Sequence, residues 1–440
     1  MSHTVFAKVC RQILATVAVI VLSGGTGFAA TKKFGAWLVV DAKSGQVLAS
    51  HNPNRPWYPA SLTKMMTAYV TFQAIKDGRI TLKSPVTVSA RARKQPPSKM
   101  GFKVGTLMTV DNALKMLIVK SANDIAMAIA ESVGGSEANF IADMNRTAKR
   151  LGMSESHFAN PHGLPNPRQI VTARDMAILA RALIRDFPQH RHYFRIMALR
   201  HGRSYLRAHN PLLNRVRGTD GMKTGFICNA GLNLVATVTR NGRTMISVVL
   251  GARSGLERAV VSKMLIENAF ARRPQPGRTT MAALATQHSR GSLPQNGYCK
   301  KVTRPTGEEL EAMYSSKSLS ATFLASAGMR YAAGDRDGHI VVPTVDRKAK
   351  RKRGKRGRRD YFTKLVGRPI HPVRPVRVFL GLPSNPKLTR SLPKPTPSPR
   401  REASGSRDSA DLAVKPIDGA GDDTSEKRAG GIPFPKRAKP

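Results

Sequence analysis

The dipeptide Asn241-Gly242 stands between two long apolar runs, "LNLVATVTR" and "TMISVVLGA". Both residues tolerate the left-handed backbone that a tight turn between right-twisted strands demands. The stretch therefore predicts a β-hairpin and commits the chain to an antiparallel sheet. Upstream, "AWLVVDAKSGQVLASHN" repeats the pattern, with strand-like runs at 36–40 and 47–50 around Asp41, Ser44 and Gly45. Between the hairpins the period changes. Leu62, Met65, Met66 and Tyr69 fall at helical spacings of three and four, and the two methionines read as core filler. Residues 109–135 hold two helical patterns, the first capped by Asp111 and the two separated by "SAND". "ANFIADMNRTAKRLGM" and "TARDMAILARALIRDF" follow, the latter capped by Thr172, and "LERAVVSKMLIENAFAR" closes the series. Strands, helices, strands and a final helix make an α+β fold: an antiparallel β-sheet flanked by helices.

The two ends read differently. Residues 1–29 form a leader: Lys8 and Arg11 precede an apolar core at 13–22, and small residues lead to a cleavage site near Ala29 or Ala30. An uncleaved span would need about 20 apolar residues, more than this run supplies. The mature protein is thus expected to be exported, in the periplasm or cell envelope. Residues 30–275 carry the regular periodicity, whereas 276–440 are basic, rich in Pro and expected to be largely disordered. The formal net charge is +46, and about half of the excess lies beyond residue 270. The densest run is "RKAKRKRGKRGRR" at 347–359. Behind an export signal its partners would be anionic wall polymers or lipid head groups rather than nucleic acid. A solvated tail without a dedicated partner is the alternative. The apolar island "VRPVRVFLGL" at 373–382 is suited to docking back on the domain. Cys228 and Cys299 remain after the leader is removed, and a disulfide or two free thiols are both open.

Three short motifs carry chemistry. In "WYPASLTKMMTAY", Ser61 and Lys64 stand three residues apart, close enough on one helix face for a hydrogen bond. A lysine buried beside another cation loses enough basicity to accept a proton near neutrality. Taken alone, this pair is as well explained by a helix cap and a surface lysine. "KSAND" sets Ser121 and Asn123 at a break between helices, and "DGMKTGF" sets Lys223, Thr224 and Gly225 before a strand. The order Ser-x-x-Lys, Ser-x-Asn, Lys-Thr-Gly is the motif set of penicillin-binding proteins.

With these motifs, "FANPHGL" and the flanking text, residues 33–272 resemble the low-molecular-mass serine-type D-alanyl-D-alanine carboxypeptidases, peptidase family S11. The resemblance implies a β-lactamase/transpeptidase-like sheet with a helical subdomain and no cofactor or metal. It also implies a peptidoglycan stem pentapeptide as substrate and β-lactam antibiotics as covalent inhibitors. By motif position, Ser61 is the implied nucleophile, Lys64 its general base and Ser121 a proton relay to the departing amine. Asn123 orients the acyl-side amide, while Lys223, Thr224 and Gly225 line the wall that binds the substrate carboxylate. The backbone N–H groups of Ser61 and Phe226 form the oxyanion hole. Phe226 stands where some relatives have His, and His209 where some have a carboxylate-binding Arg; Arg258 is a second candidate for that duty. A D,D-endopeptidase of the same fold, and a wall- or polyanion-binding protein acting through its tail, are the other readings. A class A β-lactamase is disfavoured because Ala122 replaces the acidic residue and no Glu-x-x-Leu-Asn segment follows. "HRH" at 190–192 reads as a surface loop rather than a metal pair, and "GDRDGH" at 334–339 lacks the later ligands of a calcium loop.

Overall fold

The computed structural model describes residues 35–271, 279–286, 293–294, 299, 304–313 and 360–382. The expected leader, the 334–339 fragment, the run at 347–359 and the Pro-rich end lie outside them. Strands β1 (Ala36–Asp41) and β2 (Val47–His51) open the chain, and a 3-10 turn at Ala60–Thr63 runs straight into α1 (Lys64–Lys76). Strands β3 (Pro85–Thr87) and β4 (Leu107–Thr109) bracket the short α2 (Ala90–Arg93) and a rim loop at 94–106. Four helices follow: α3 (Val110–Val119), α4 (Asn123–Gly134), α5 (Glu137–Leu151) and α6 (Ala173–Asp186). The short α7 (His192–Arg195) and the hairpin β5 (Ala198–His201) and β6 (Ser204–Arg207) come next. Then come β7 (Thr219–Ile227), β8 (Gly231–Arg240), β9 (Arg243–Ala252) and α8 (Gly255–Phe270). The later segments supply α9 (Gly307–Met313), α10 (Tyr361–Leu365) and β10 (Val376–Arg377).

The expected hairpin forms at Asn241 and Gly242, whose φ values are 47° and 74°, with Arg240 and Arg243 as its closing pair. β9 also pairs with β1, from Ala36 opposite Leu250 to Asp41 opposite Met245. The resulting antiparallel sheet has the order β2-β1-β9-β8-β7, which leaves β7 at an edge. Strand alternation sorts its side chains between two layers. Trp37, Val39, Met245 and Val249 pack with Val261, Leu265 and Ala269 of α8. Leu38, Val40, Ile246 and Val248 belong to the core shared with the helical block. Both faces are covered, so the strands read as continuous apolar text; each buried Leu, Ile or Val contributes roughly 1.5–3 kcal/mol.

In the helical block, every residue of α1 from Lys64 to Phe72 is buried, including Met65 and Met66. Thr109 rather than Asp111 caps α3: its hydroxyl accepts the Asn112 N–H at 3.2 Å. Asp111 sits in the first turn, where it accepts from Tyr193 Oη at 2.7 Å. Thr172 caps α6 as expected, accepting the Asp175 N–H at 3.1 Å. His190 is not in a surface loop; it is buried and stacks on Phe72 with ring centroids 4.5 Å apart. Among the described residues no cluster of three or more His, Cys, Asp or Glu is placed to hold a metal.

The later segments pack on this domain. The Val47 N–H donates to Thr279 O at 2.9 Å, and Met281 N–H to Gly45 O at 3.1 Å. Cys228 and Cys299 are joined in a disulfide across 71 residues, which decides between the two alternatives. The apolar island docks: β10 pairs in parallel with β5, and Val378 is buried.

Candidate active site

Ser61 lies in the 3-10 turn rather than in the helix itself. Ala60 before it has φ of 50°, held by the Thr63 hydroxyl, which donates to Ala60 O at 2.8 Å. Two glycines let neighbouring backbone press on this turn. At Gly163, where φ is +85°, a Cβ would fall 1.8 Å from Ala60 O; at Gly225 it would fall 2.7 Å from Pro59 O and 3.1 Å from Ser61 N. Glycine is required at both, and Gly225 brings β7 against the serine. Asn233 fixes the turn from β8, its Nδ2 donating to Tyr58 O at 2.9 Å and Pro59 O at 3.2 Å.

One turn on, Lys64 Nζ donates to Ser61 Oγ at 3.1 Å, Asn123 Oδ1 at 2.7 Å and His162 O at 2.6 Å. These are three neutral acceptors for three N–H donors. Burial, then the charge of Lys223, holds the amine well below the ordinary lysine range, against a smaller opposing pull from Asp124. When the ammonium loses a proton, two N–H groups remain for Asn123 and His162, and the lone pair is left for the Ser61 hydroxyl. His162 adds no charge: burial, then Lys64 and Arg91, pushes its ring down to about 3.

Ser121, buried with φ of 61°, accepts from Lys223 Nζ at 3.0 Å, which leaves its own hydroxyl proton free to be donated. Lys223 also donates to Thr224 O at 3.0 Å; burial, then Arg258, lowers it to about 7. Asn123 uses both ends of its amide within the protein, because Nδ2 donates to Pro96 O at 2.9 Å. Its backbone N–H donates to Ser98 O at 2.7 Å. Thr224 is buried beside Lys223, and Phe226 is exposed at the rim.

Ser61, two buried lysines and Ser121 thus converge from the 3-10 turn at 60–63, α1, the α3–α4 break and β7. Residues 28–254 match the D-alanyl-D-alanine carboxypeptidases, peptidase family S11. The chain belongs to that family. D-alanyl-D-alanine carboxypeptidase DacA of Haemophilus influenzae is 39% identical over 240 residues, covering 53% of this chain and 61% of that protein. The match therefore spans under two thirds of that relative's length. The crystal structure of penicillin binding protein 5 from Haemophilus influenzae is similar at TM-score 0.53 and 36% identity, covering 56% of this chain and 73% of that one. Penicillin-binding protein D2 from Listeria monocytogenes, in its cefotaxime-bound form, gives TM-score 0.50 and 28% identity over 54% of this chain and 97% of that one.

Within this S11 framework, the two candidates for the extra carboxylate-binding group differ. His209 is pushed down to about 4 by desolvation, then Lys223, Lys120 and Arg258, so it carries no charge at neutral pH. Arg258 is buried, its Nη atoms donating to Asn233 O at 3.4 Å and His209 O at 3.2 Å, while its Nε has no partner. No carboxylate lies within ion-pair distance of it among the described residues. Four contributors escaped sequence reasoning: the carbonyls of His162, Pro96 and Ser98, and the side chain of Asn233. Backbone oxygens have no sequence signature; the only pointer was Gly163 in "FANPHGL", a glycine required by close approach.

Proposed function

We propose that this protein is a serine-type D-Ala-D-Ala carboxypeptidase that removes the terminal D-alanine from peptidoglycan stem pentapeptides. The observation that carries the reading is Lys64: buried, short of charged partners and 3.1 Å from Ser61 Oγ. Ser61 Oγ attacks the carbonyl carbon of the D-Ala–D-Ala bond as Lys64 takes its proton. The oxyanion lies on the N–H groups of Ser61 and Phe226, each typically worth about 3–4 kcal/mol to the transition state. Ser121 gives its proton to the departing D-alanine amine and regains one from Lys223. Asn123 offers its remaining Nδ2 proton to the acyl-side amide. Thr224 hydrogen-bonds the terminal carboxylate, with Lys223 and Arg258 supplying the positive field. Water then hydrolyses the ester and restores Ser61.

β-Lactams would acylate the same serine but keep the expelled nitrogen tethered; the cefotaxime-bound Listeria relative supports binding of this class of ligand. The leader and the Cys228–Cys299 disulfide both suit an oxidising, exported location in the cell envelope. The test is labelling with a fluorescent penicillin alongside D-alanine release from a pentapeptide and cleavage of a cross-linked dimer. Wild type should label and release D-alanine faster than it cuts the dimer, and Ser61→Ala should do neither. Persistent labelling of Ser61→Ala would refute the nucleophile; faster dimer cleavage would make the enzyme an endopeptidase.

A further inference from the structure

The C-terminal segment 360–382 lies outside the family match, yet it is bonded to the frame of the cleft. Its first half is anchored on the sheet side. Val366 is fully buried among Leu212, Val216, Leu234 and Val260. The Ile370 N–H donates to Asn214 O at 2.8 Å and the His371 N–H to Asn214 Oδ1 at 2.9 Å. Its second half reaches the rim. β10 pairs with Leu199 and Arg200 of β5, the Val378 N–H donates to Arg200 O at 3.0 Å, and the Gly381 N–H donates to Leu107 O at 2.7 Å. Leu107 opens β4 directly after the rim loop 94–106. The loop also meets β5 directly, where Phe102 stands edge-on to His201 at 5.2 Å.

The other end of that loop touches the chemistry. Pro96 O and Ser98 O accept from the Nδ2 and backbone N of Asn123, and the Met100 and Gly101 N–H groups bind the buried Asp124 carboxylate. Asn123 in turn accepts from Lys64. We propose that residues 360–382 are a positioning strap of the active site: by tying Leu107 to β5 they hold the rim loop where its carbonyls fix Asn123, and through it Lys64. The path runs from the Gly381–Leu107 bond along the loop backbone to Ser98 and Pro96, and from their carbonyls through Asn123 to Lys64. Misplacing a catalytic group by about 1 Å can cost on the order of a hundredfold in rate. A strap formed after the S11 match thus becomes part of this enzyme's catalytic frame.

The test uses the full chain. Val378→Asp puts an unpaired carboxylate in a buried site and should expel the strap's second half. Gly381→Pro removes the N–H that holds Leu107 and cannot adopt the φ of +86° at that exposed position, so it loosens the rim with the core untouched. Release is confirmed by faster tryptic cleavage after the exposed Arg377, where the next residue is Val378. Two readouts follow: hydrogen exchange of residues 94–107 and of the Asn123 amide, and the rate constant of acylation by penicillin. The second readout rests on the proposed activity; the first does not.

Both variants should exchange faster in these residues and acylate about tenfold more slowly, with the loss in the rate constant rather than in noncovalent affinity. Val378→Ile should resemble wild type. A released strap with unchanged exchange at the rim and an unchanged acylation rate overturns the proposal. If wild type takes no label, the proposed activity fails, and the exchange data still decide the strap.

Discussion

Two buried cations, Arg174 at the start of α6 and Lys64 at the start of α1, show how burial produces opposite outcomes. Arg174 donates to the Asp175 carboxylate at 2.6 Å, to Met281 O at 2.9 Å and to Gly152 O at 3.0 Å. The pair ties α6 to the 152–156 turn and to the segment after residue 278. Lys64 meets no carboxylate. Its acceptors are a hydroxyl, an amide oxygen and a backbone carbonyl, while Asp124 is occupied by the Met100 and Gly101 N–H groups. A buried cation facing an anion stays charged and acts as a strut. A lysine facing neutral acceptors gives up its proton readily and can act as a base, whereas a guanidinium so placed, as at Arg258, keeps its charge. At similar burial, the acceptors and the intrinsic basicity of the cation together separate the two roles.

The comparison is broken most severely by removing the proposed base. Lys64→Gln should lower acylation by penicillin about 10²–10⁴-fold above the pH at which the amine sheds its proton, the usual contribution of a general base. A loss under tenfold would mean that another group takes the proton. Asn123→Asp is the sharper test, because it gives Lys64 the carboxylate that Arg174 already has. An opposite charge at hydrogen-bond distance raises an amine by about 1–3 pH units. Since only the neutral amine accepts a proton, acylation near neutral pH should fall and recover as the pH is raised. A loss that no pH restores would assign the effect to geometry instead. Arg174→Ala should act on stability alone: stranding Asp175 costs about 3–5 kcal/mol in urea unfolding, with unchanged acylation of the folded fraction.

How much of this was legible follows from the same physics. The hairpin at Asn241-Gly242 was readable because positive φ at two successive positions leaves few residues to choose from. The candidate set was readable because Ser61, Lys64, Ser121, Asn123 and Lys223 stand in motifs of fixed local spacing, and their side chains meet in the structure. The acceptors that set the basicity of Lys64 were not, since His162 contributes a carbonyl that any residue would offer. Thr109 displaced Asp111 as cap by a difference of two residues, within the uncertainty of a boundary read from pattern. His190 looked like a loop residue because its aromatic neighbours Phe72, Phe187 and Tyr193 come from separate elements. The docked island at 373–382 was legible as apolar text, but its contact with Leu107 joins residues far apart in the chain.

Lys223 extends the comparison to a cation of intermediate character. Burial and then Arg258 lower it to about 7, against the ordinary lysine value near 10.5. Below about pH 7 both folded and unfolded chains hold its proton, and the fold bears the full cost of a buried charge. Between pH 7 and 10.5 the unfolded chain keeps a proton that the folded one has shed, so stability should rise across that window. Lys223→Gln should flatten the rise, measured as urea midpoints at pH 6.5, 8 and 9.5. A slope unchanged by the substitution would assign the rise to other groups. In the same interval, loss of the Lys223 charge should weaken binding of the anionic peptide several-fold, and Lys223→Arg should remove that dependence.

The smallest effect is expected at Phe226, where neither kind of acceptor matters. Its proposed contribution is a backbone N–H, and its ring is 49% exposed at the rim. Phe226→His keeps the N–H and swaps an apolar edge for a polar one, so the acylation rate should change by less than about threefold, under roughly 1 kcal/mol in barrier. The pH profile should also hold its shape, because a histidine at an exposed rim would titrate away from Lys64. A tenfold change, or a new inflection near pH 6.5, would show that the ring itself touches the substrate. The rim would then belong, with Lys64, among the groups whose chemical identity sets the rate.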